Sequence, residues 1–191
     1  AFVEDFDSQF YEINYNYSKQ QQTDLLFPVQ RQLEVSVAFG KRSAASELKQ
    51  RHIRLKGFQI FNLNPKNSIF LKVHLEELQS DQYLLNELLR FGGITSVRGF
   101  RENSLFATRL GVLCSEYRYR FSPGLFVHSV IDAGYFQDSN NTDYQIFGFG
   151  FGFGLRSNGG LLRLTYANGK TKNIPFDLSE SKVHLSFIST F

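Results

Sequence analysis

The sequence predicts an all-β protein, an antiparallel transmembrane β-barrel of about eight or nine strands, and three observations carry that prediction. Apolar and aromatic residues alternate with polar or small ones along almost the whole chain, at the period of two that a strand imposes. The alternating runs are joined by short turns and longer loops by turns, which is the asymmetry of outer-membrane barrels. Residues 147–154 read Phe-Gly four times over. In a soluble protein that run would bury the Phe and leave a bare glycine face to water, weakening the strand for no gain. In a membrane barrel the Phe face meets lipid and the Gly face leaves room inside. A soluble barrel or sandwich also alternates, and it remains the weaker alternative.

The elements follow in order. From 9 to 17, Tyr11, Ile13, Tyr15 and Tyr17 oppose Glu12, Asn14 and Asn16. From 31 to 41, Leu33, Val35, Val37 and Phe39 oppose Gln32, Glu34 and Ser36. The run 51–63 opens with Ile53 and Leu55 against His52, Arg54 and Lys56, and blurs at Gly57. The run 68–78 sets Ile69, Leu71, Val73 and Leu75 against Lys72, His74 and Glu76. Further runs occupy 106–121, 125–136, 143–157, 160–168 and 181–191. The links at 64–67, 122–124 and 158–159 are short; those at 79–104, 137–142 and 169–180 are longer. Residues 81–90 look helical, and a one- or two-turn helix is expected inside the longest loop. One region, 1–191, is expected, with 79–104 as a long loop that folds into the lumen.

Composition bounds the function. With 16% aromatic residues the chain is too rich in core formers to be disordered. Its one Cys excludes an internal disulfide framework. No apolar stretch is long enough for a transmembrane helix, which leaves a barrel open. The net charge of +3 comes from 21 basic and 18 acidic residues that are interspersed, so nucleic acid is not an expected partner. The chain begins at Ala1, and the expectation is a removed signal peptide or a piece of a longer protein. The four His lie in four different strands on the polar parity, with no metal-ligand spacing, and read as lumen lining. Cys114 reads as a small wall residue. The glycines of 148–154 sit within a strand, unlike a dinucleotide fingerprint that opens a helix. No nucleophile–base pairing is legible, so the expectations are no enzyme activity, no cofactor and no metal.

The segment Phe91-Gly92-Gly93-Ile94-Thr95-Ser96-Val97-Arg98-Gly99-Phe100 is more specific. It resembles the VRGF loop signature of the BamA/TamA superfamily, the bacterial surface-antigen barrels that assemble or translocate outer-membrane proteins. Ser115 to Arg118, Val130 to Gly134, Gly148 to Gly154 with Gly159 to Ala167, and Lys182 to Phe191 resemble that family's later strands in the same order. Phe27 to Gly40 resembles a turn and strand upstream of the loop. The resemblance implies a loop folded into the lumen, with Gly92, Gly93, Val97, Arg98, Gly99 and Phe100 as its functional residues. Arg98 would meet Asp132 first and Glu116 second; both also fall on the polar parity. Gly148, Gly150 and Gly152 are expected to line the lumen opposite that loop. Val183, Leu185, Phe187 and Phe191 would form the terminal-strand seam, although the final strand has no Gly of its own.

Sixteen strands of about eleven residues, as in that family, need roughly 176 residues before any loop is counted. Nine spans also place the two ends of the chain on opposite sides of the membrane. The expectation is therefore the C-terminal half of a sixteen-strand barrel, or a small barrel that pairs with a second chain. The function implied is insertion or export of outer-membrane proteins through a lateral seam, in the outer membrane of a Gram-negative bacterium. Expected partners are outer-membrane lipid, unfolded outer-membrane proteins, and a homo-oligomer or the rest of a longer barrel. The alternatives are a passive anchor or pore carrying another domain such as a lipase, a lipid-facing dimer, and a soluble binder.

Overall fold

Nine strands form one antiparallel sheet in which every neighbour in space is also the next long strand in sequence. The computed structural model describes residues 7–21, 23–24, 26–43, 47–172, 174 and 176–189. The strands are β1 (Asp7–Gln20), β2 (Val29–Ser43), β3 (Glu47–Asn62), β4 (Asn67–Ser80), β5 (Leu89–Phe91), β6 (Leu105–Ala107), β7 (Arg109–Ser122), β8 (Leu125–Gln137), β9 (Asp143–Ser157), β10 (Gly160–Thr171) and β11 (Lys182–Ile188). The large sheet runs β1-β2-β3-β4-β7-β8-β9-β10-β11, and β5 pairs with β6 as a separate ribbon. The sheet is open: among the described residues β1 and β11 do not pair with each other. It is thus a partial barrel.

The two faces are inverted relative to a soluble protein. Tyr11, Ile13, Phe39, Leu113, Tyr117, Ile131, Phe147, Phe149, Phe151 and Phe153 are exposed on the convex face, Phe151 at 66%. Glu116, Arg118, His128, Asp132 and Thr165 are buried on the concave one. Strand period puts each residue and its second neighbour on one side, so the alternation in sequence becomes this segregation of faces. Among the described residues no helix is long and apolar enough to cross a membrane.

Two apolar clusters occupy the concavity. Val97 and Phe100 of the long loop join Phe91, Ala107, Leu110, Val112, Phe136 and Ile146. Nearer the rim of short turns, Leu26 and Phe27 join Ile60, Phe126 and Leu161.

Two local expectations need correction. Residues 81–88 form bends and turns rather than a helix, and 89–90 belong to β5. Glu87 there is held by Arg42 and by Gln50 Nε2 (3.0 Å), and it accepts the Leu84 N–H (3.0 Å). Leu88 and Leu89 are buried while Leu85 is exposed, which draws Leu89–Phe91 into strand pairing with Leu105–Ala107. The run 106–121 also breaks at Thr108, where the chain leaves the small ribbon and joins the wall. Thr108 accepts the Leu78 N–H and donates its own to Gln137 O, both at 2.8 Å, so the break leaves no backbone group unpaired.

Candidate functional site

The loop after β4 closes on itself before it meets the wall. Gly92 and Gly93 have φ of +102° and +90°, a region that favours glycine. The Gly93 N–H donates to Val97 O (3.0 Å) and the Ser96 N–H to Gly93 O (3.2 Å). Glu102 ties the turn by accepting the Ile94 N–H (3.0 Å) and the Thr95 hydroxyl (2.8 Å). The turn presents Val97 and Phe100 to the apolar cluster and leaves Arg98 facing the charged part of the wall.

Asp132 of β8 stands in register with Cys114 of β7, so Asp132 and Glu116 share the concave face on adjacent strands. Asp132 Oδ2 accepts the Arg98 backbone N–H and Nε, each at 2.9 Å. Arg98 Nη2 bonds the other Asp132 oxygen, and Nη1 bonds Glu116 Oε1. The Asp132 side chain is fully buried and that of Arg98 only 5% exposed. Burial disfavours the charged guanidinium. Hydrogen bonding to Asp132 and the charges of Glu116 and Asp132 outweigh it and raise the Arg98 pKa above its ordinary value. The group is a fixed cation, and a two-pronged grip on a carboxylate sets orientation as well as position.

Glu116 serves more than one cation. It also accepts Arg118 Nε (2.7 Å) and Arg163 Nη2 (2.9 Å), so three guanidinium groups converge on this carboxylate. The Arg118 guanidinium lies between two aromatic rings, 4.4 Å from the Phe27 centroid and 4.2 Å from that of Phe70. Next to it, Arg120 Nη2 donates to both oxygens of Asp24 (3.1 and 2.9 Å).

The glycines of β9 differ in what they face. A Cβ at Gly148 would strike the carbonyl oxygen of Arg98, so that glycine lies directly beneath the loop. A Cβ at Gly150 would meet the Tyr166 carbonyl and Ala167 of the neighbouring strand, and one at Gly152 the His128 ring. Both lie on the concave side, where the nearest atoms belong to β8 and β10 rather than to the loop. Gly99, with φ of +92°, packs against the backbone of Asn168 and Gly169, and Phe100 covers Gly169.

Several contacts were not legible beforehand. The Gly99 N–H donates to His184 Nε2 (3.1 Å), which ties the loop to β11. Cys114 lies under the loop with its thiol donating to Ser96 O (3.0 Å), and Lys72 reaches Thr95 O. Arg118, Arg163 and His184 all sit on the polar parity, but alternation alone gives no reason to choose them over other inward residues. The other histidines line the concave wall, where Glu76 bonds His52 (2.8 Å), His74 (2.6 Å) and Arg54 (2.9 Å). Among the described residues no group of His, Cys, Asp or Glu is placed to hold a metal ion.

Val183, Leu185 and Phe187 are exposed on the convex side of β11, and Phe191 lies outside the described residues. One edge of β11 pairs with β10 from Ala167 to Leu161, and the other has no partner among the described residues.

Among solved structures, CdiB from Acinetobacter baumannii aligns at a TM-score of 0.67 with 16% identity, over 95% of this chain and 33% of that one. The likeness shows the fold, and the chain spans about a third of the length of that structure. No curated protein matches the sequence. The description "haemolysin secretion/activation protein ShlB/FhaC/HecB" attaches to the family that matches residues 8–156. That family is related to BamA/TamA but not identical with it, so the resemblance read from the VRGF segment is corrected to the secretion branch. On a match covering most of its length, the chain belongs to the ShlB/FhaC/HecB family of haemolysin secretion/activation proteins.

Proposed function

We propose that the chain contributes nine strands to an outer-membrane β-barrel that exports another protein, with the Arg98 loop lodged in the lumen as a movable obstruction. The observation that carries this reading is the inversion of faces: aromatic rows outward, buried charges inward. Such a wall is stable only with lipid on its convex side and a filled or aqueous interior on the other. Family membership supports secretion as the activity. The loop supports a gated path, because it is bound to the wall by ionic contacts and a few apolar side chains rather than by strand pairing.

The edge of β11 that has no partner among the described residues favours a second reading, in which the terminal strands open laterally and template an incoming strand through main-chain hydrogen bonds. The residues at 183, 185 and 187 would then flank that seam toward lipid. A deletion strain separates the readings. Export predicts that a secreted partner protein is retained in the periplasm while other outer-membrane barrels keep their levels. Insertion predicts that those barrels fall instead. A passive anchor changes neither, and that result would overturn both.

A further inference from the structure

The loop from one rim and the β1–β2 turn from the other converge on the same carboxylate. From above, Arg98 bonds Glu116 Oε1. From below, Arg118 bonds Glu116 Oε2 at 2.7 Å and is itself held between the rings of Phe27 and Phe70. Phe27 belongs to the turn between β1 and β2, which folds inward: Leu26 and Phe27 are buried against Ile60, Phe126 and Leu161. Asp24 fixes that turn internally by accepting the Leu26 and Phe27 N–H groups (both 3.1 Å), and fixes it to the wall through Arg120.

We infer that the Asp24–Phe27 turn is a positioning element for the Arg98 loop, acting through Arg118 and Glu116, so that displacing either end loosens the other. The physical route is short. The stacked rings restrict the Arg118 guanidinium, which holds one oxygen of Glu116 and thereby aims the other at Arg98. With Phe27 gone, Arg118 is free on one face, and Glu116 can turn toward Arg163, which already bonds it at 2.9 Å. Arg98 then keeps Asp132 and a long contact to Ser115 O (3.5 Å). Coupling of this kind is reciprocal, because each contact changes the same equilibrium. The inference rests on the reading that the loop moves, but it concerns what holds the loop in place, whatever is exported.

The chain carries its own reporter. Cys114 is its one cysteine, it is buried, and its thiol meets Ser96 O on the underside of the loop. Maleimide labelling of Cys114, followed by peptide mass spectrometry on the protein in its native membrane, therefore reads loop displacement without any secretion assay. Phe27→Leu keeps apolar bulk and removes the ring; Arg118→Met removes the charge. Each is expected to raise the labelling rate by about three- to thirtyfold, the span of typical coupling energies. Phe27→Tyr, which keeps the ring, should restore the slow rate, a recovery that mere loss of packing would not produce. Asp24→Asn is a milder variant in case the others fail to fold, with heat-modifiable migration reporting the intact barrel. In the reverse direction, Leu26→Cys in a Cys114→Ser background should gain reactivity when Arg98→Ala is added. If Cys114 stays at the unmodified rate in folded Phe27→Leu, Arg118→Met and Asp24→Asn proteins, while Arg98→Ala accelerates it, the coupling is refuted and the movable loop survives. If Arg98→Ala also leaves it slow, the movable loop fails as well.

Discussion

At the residue scale, the contact between Arg98 and Asp132 is worth far more broken than made. Two buried charges compensate each other: removing Arg98 strands the Asp132 carboxylate away from solvent, and neutralising Asp132 leaves the Arg98 cation to Glu116, which two other arginines share. Asp132→Asn and Arg98→Ala are each expected to cost about 3–5 kcal/mol, measured as a lowered urea midpoint for the refolded barrel. An equal midpoint for both variants and the parent protein would mean that water reaches the pair. Gly148 makes a sharper test of geometry. Gly148→Leu should drive the loop off the wall and expose 79–104 to protease, since the added atoms meet the Arg98 backbone rather than a flexible side chain. Phe149→Leu, one position away on the opposite face, should leave the cleavage pattern unchanged. Gly150→Leu disturbs the pairing of β9 with β10 instead, so its main effect is on barrel stability. The sequence reading set all three glycines opposite the loop, whereas the nearest atoms to a Cβ at Gly150 or Gly152 belong to neighbouring strands; alternation makes them one inward set and does not tell which lies under the loop. That depends on where the loop crosses the wall, which in turn depends on contacts made by Gly99 and Phe100 with β10.

At the scale of the element, the long loop is a small folded unit docked on a sheet. Its shape comes from glycines at positive φ and from Glu102; its placement comes from Val97, Phe100 and Arg98. Gly99→Ala combines a strained φ with a clash against the Asn168–Gly169 backbone. It should release the loop about as effectively as loss of the ion pair, with a cost of roughly 1–3 kcal/mol from backbone strain alone. His184→Ala removes the acceptor of a neutral hydrogen bond, and its expected cost is smaller, about 1 kcal/mol. Hydrogen exchange across 92–103 ranks the two: a larger gain in exchange for His184→Ala than for Gly99→Ala would contradict this order. The VRGF motif was legible in sequence because its residues are contiguous. The Gly99–His184 contact joins positions 85 apart, and no local pattern marks it.

For the molecule as a whole, the governing fact is that its apolar surface is on the outside. Phe151 sits near the middle of β9 and is 66% exposed. Phe151→Arg should therefore weaken folding into lipid vesicles by about 2–4 kcal/mol, as expected for a basic side chain near the bilayer midplane. In a soluble sandwich the same exposed position would accept Arg with little loss. Equilibrium folding in vesicles distinguishes the two, and tolerance of Arg would undo the assignment of the convex face to lipid. The open edges of β1 and β11 belong to this scale too. The arrangement of strands in chain order leaves both free among the described residues, and an exposed edge pairs with another strand when one is available.

The sequence by itself determined the all-β class and the strand period, left the wall at eight or nine strands, and pointed to the loop carrying Arg98 only through a resemblance. Class and period are local properties, readable because side chains alternate strictly along an extended backbone. It misjudged residues 81–90, whose leucines suit a helix until burial draws Leu89 and Phe91 into pairing. Only the tertiary structure decided that Glu116 is shared by Arg98, Arg118 and Arg163, that Phe27 returns from a distant turn to stack on Arg118, and that Gly148 rather than Gly150 carries the loop. Each of these depends on the curvature that brings β2, β4, β7 and β10 around one concavity. Alternation says which way a side chain points, and curvature says what it meets.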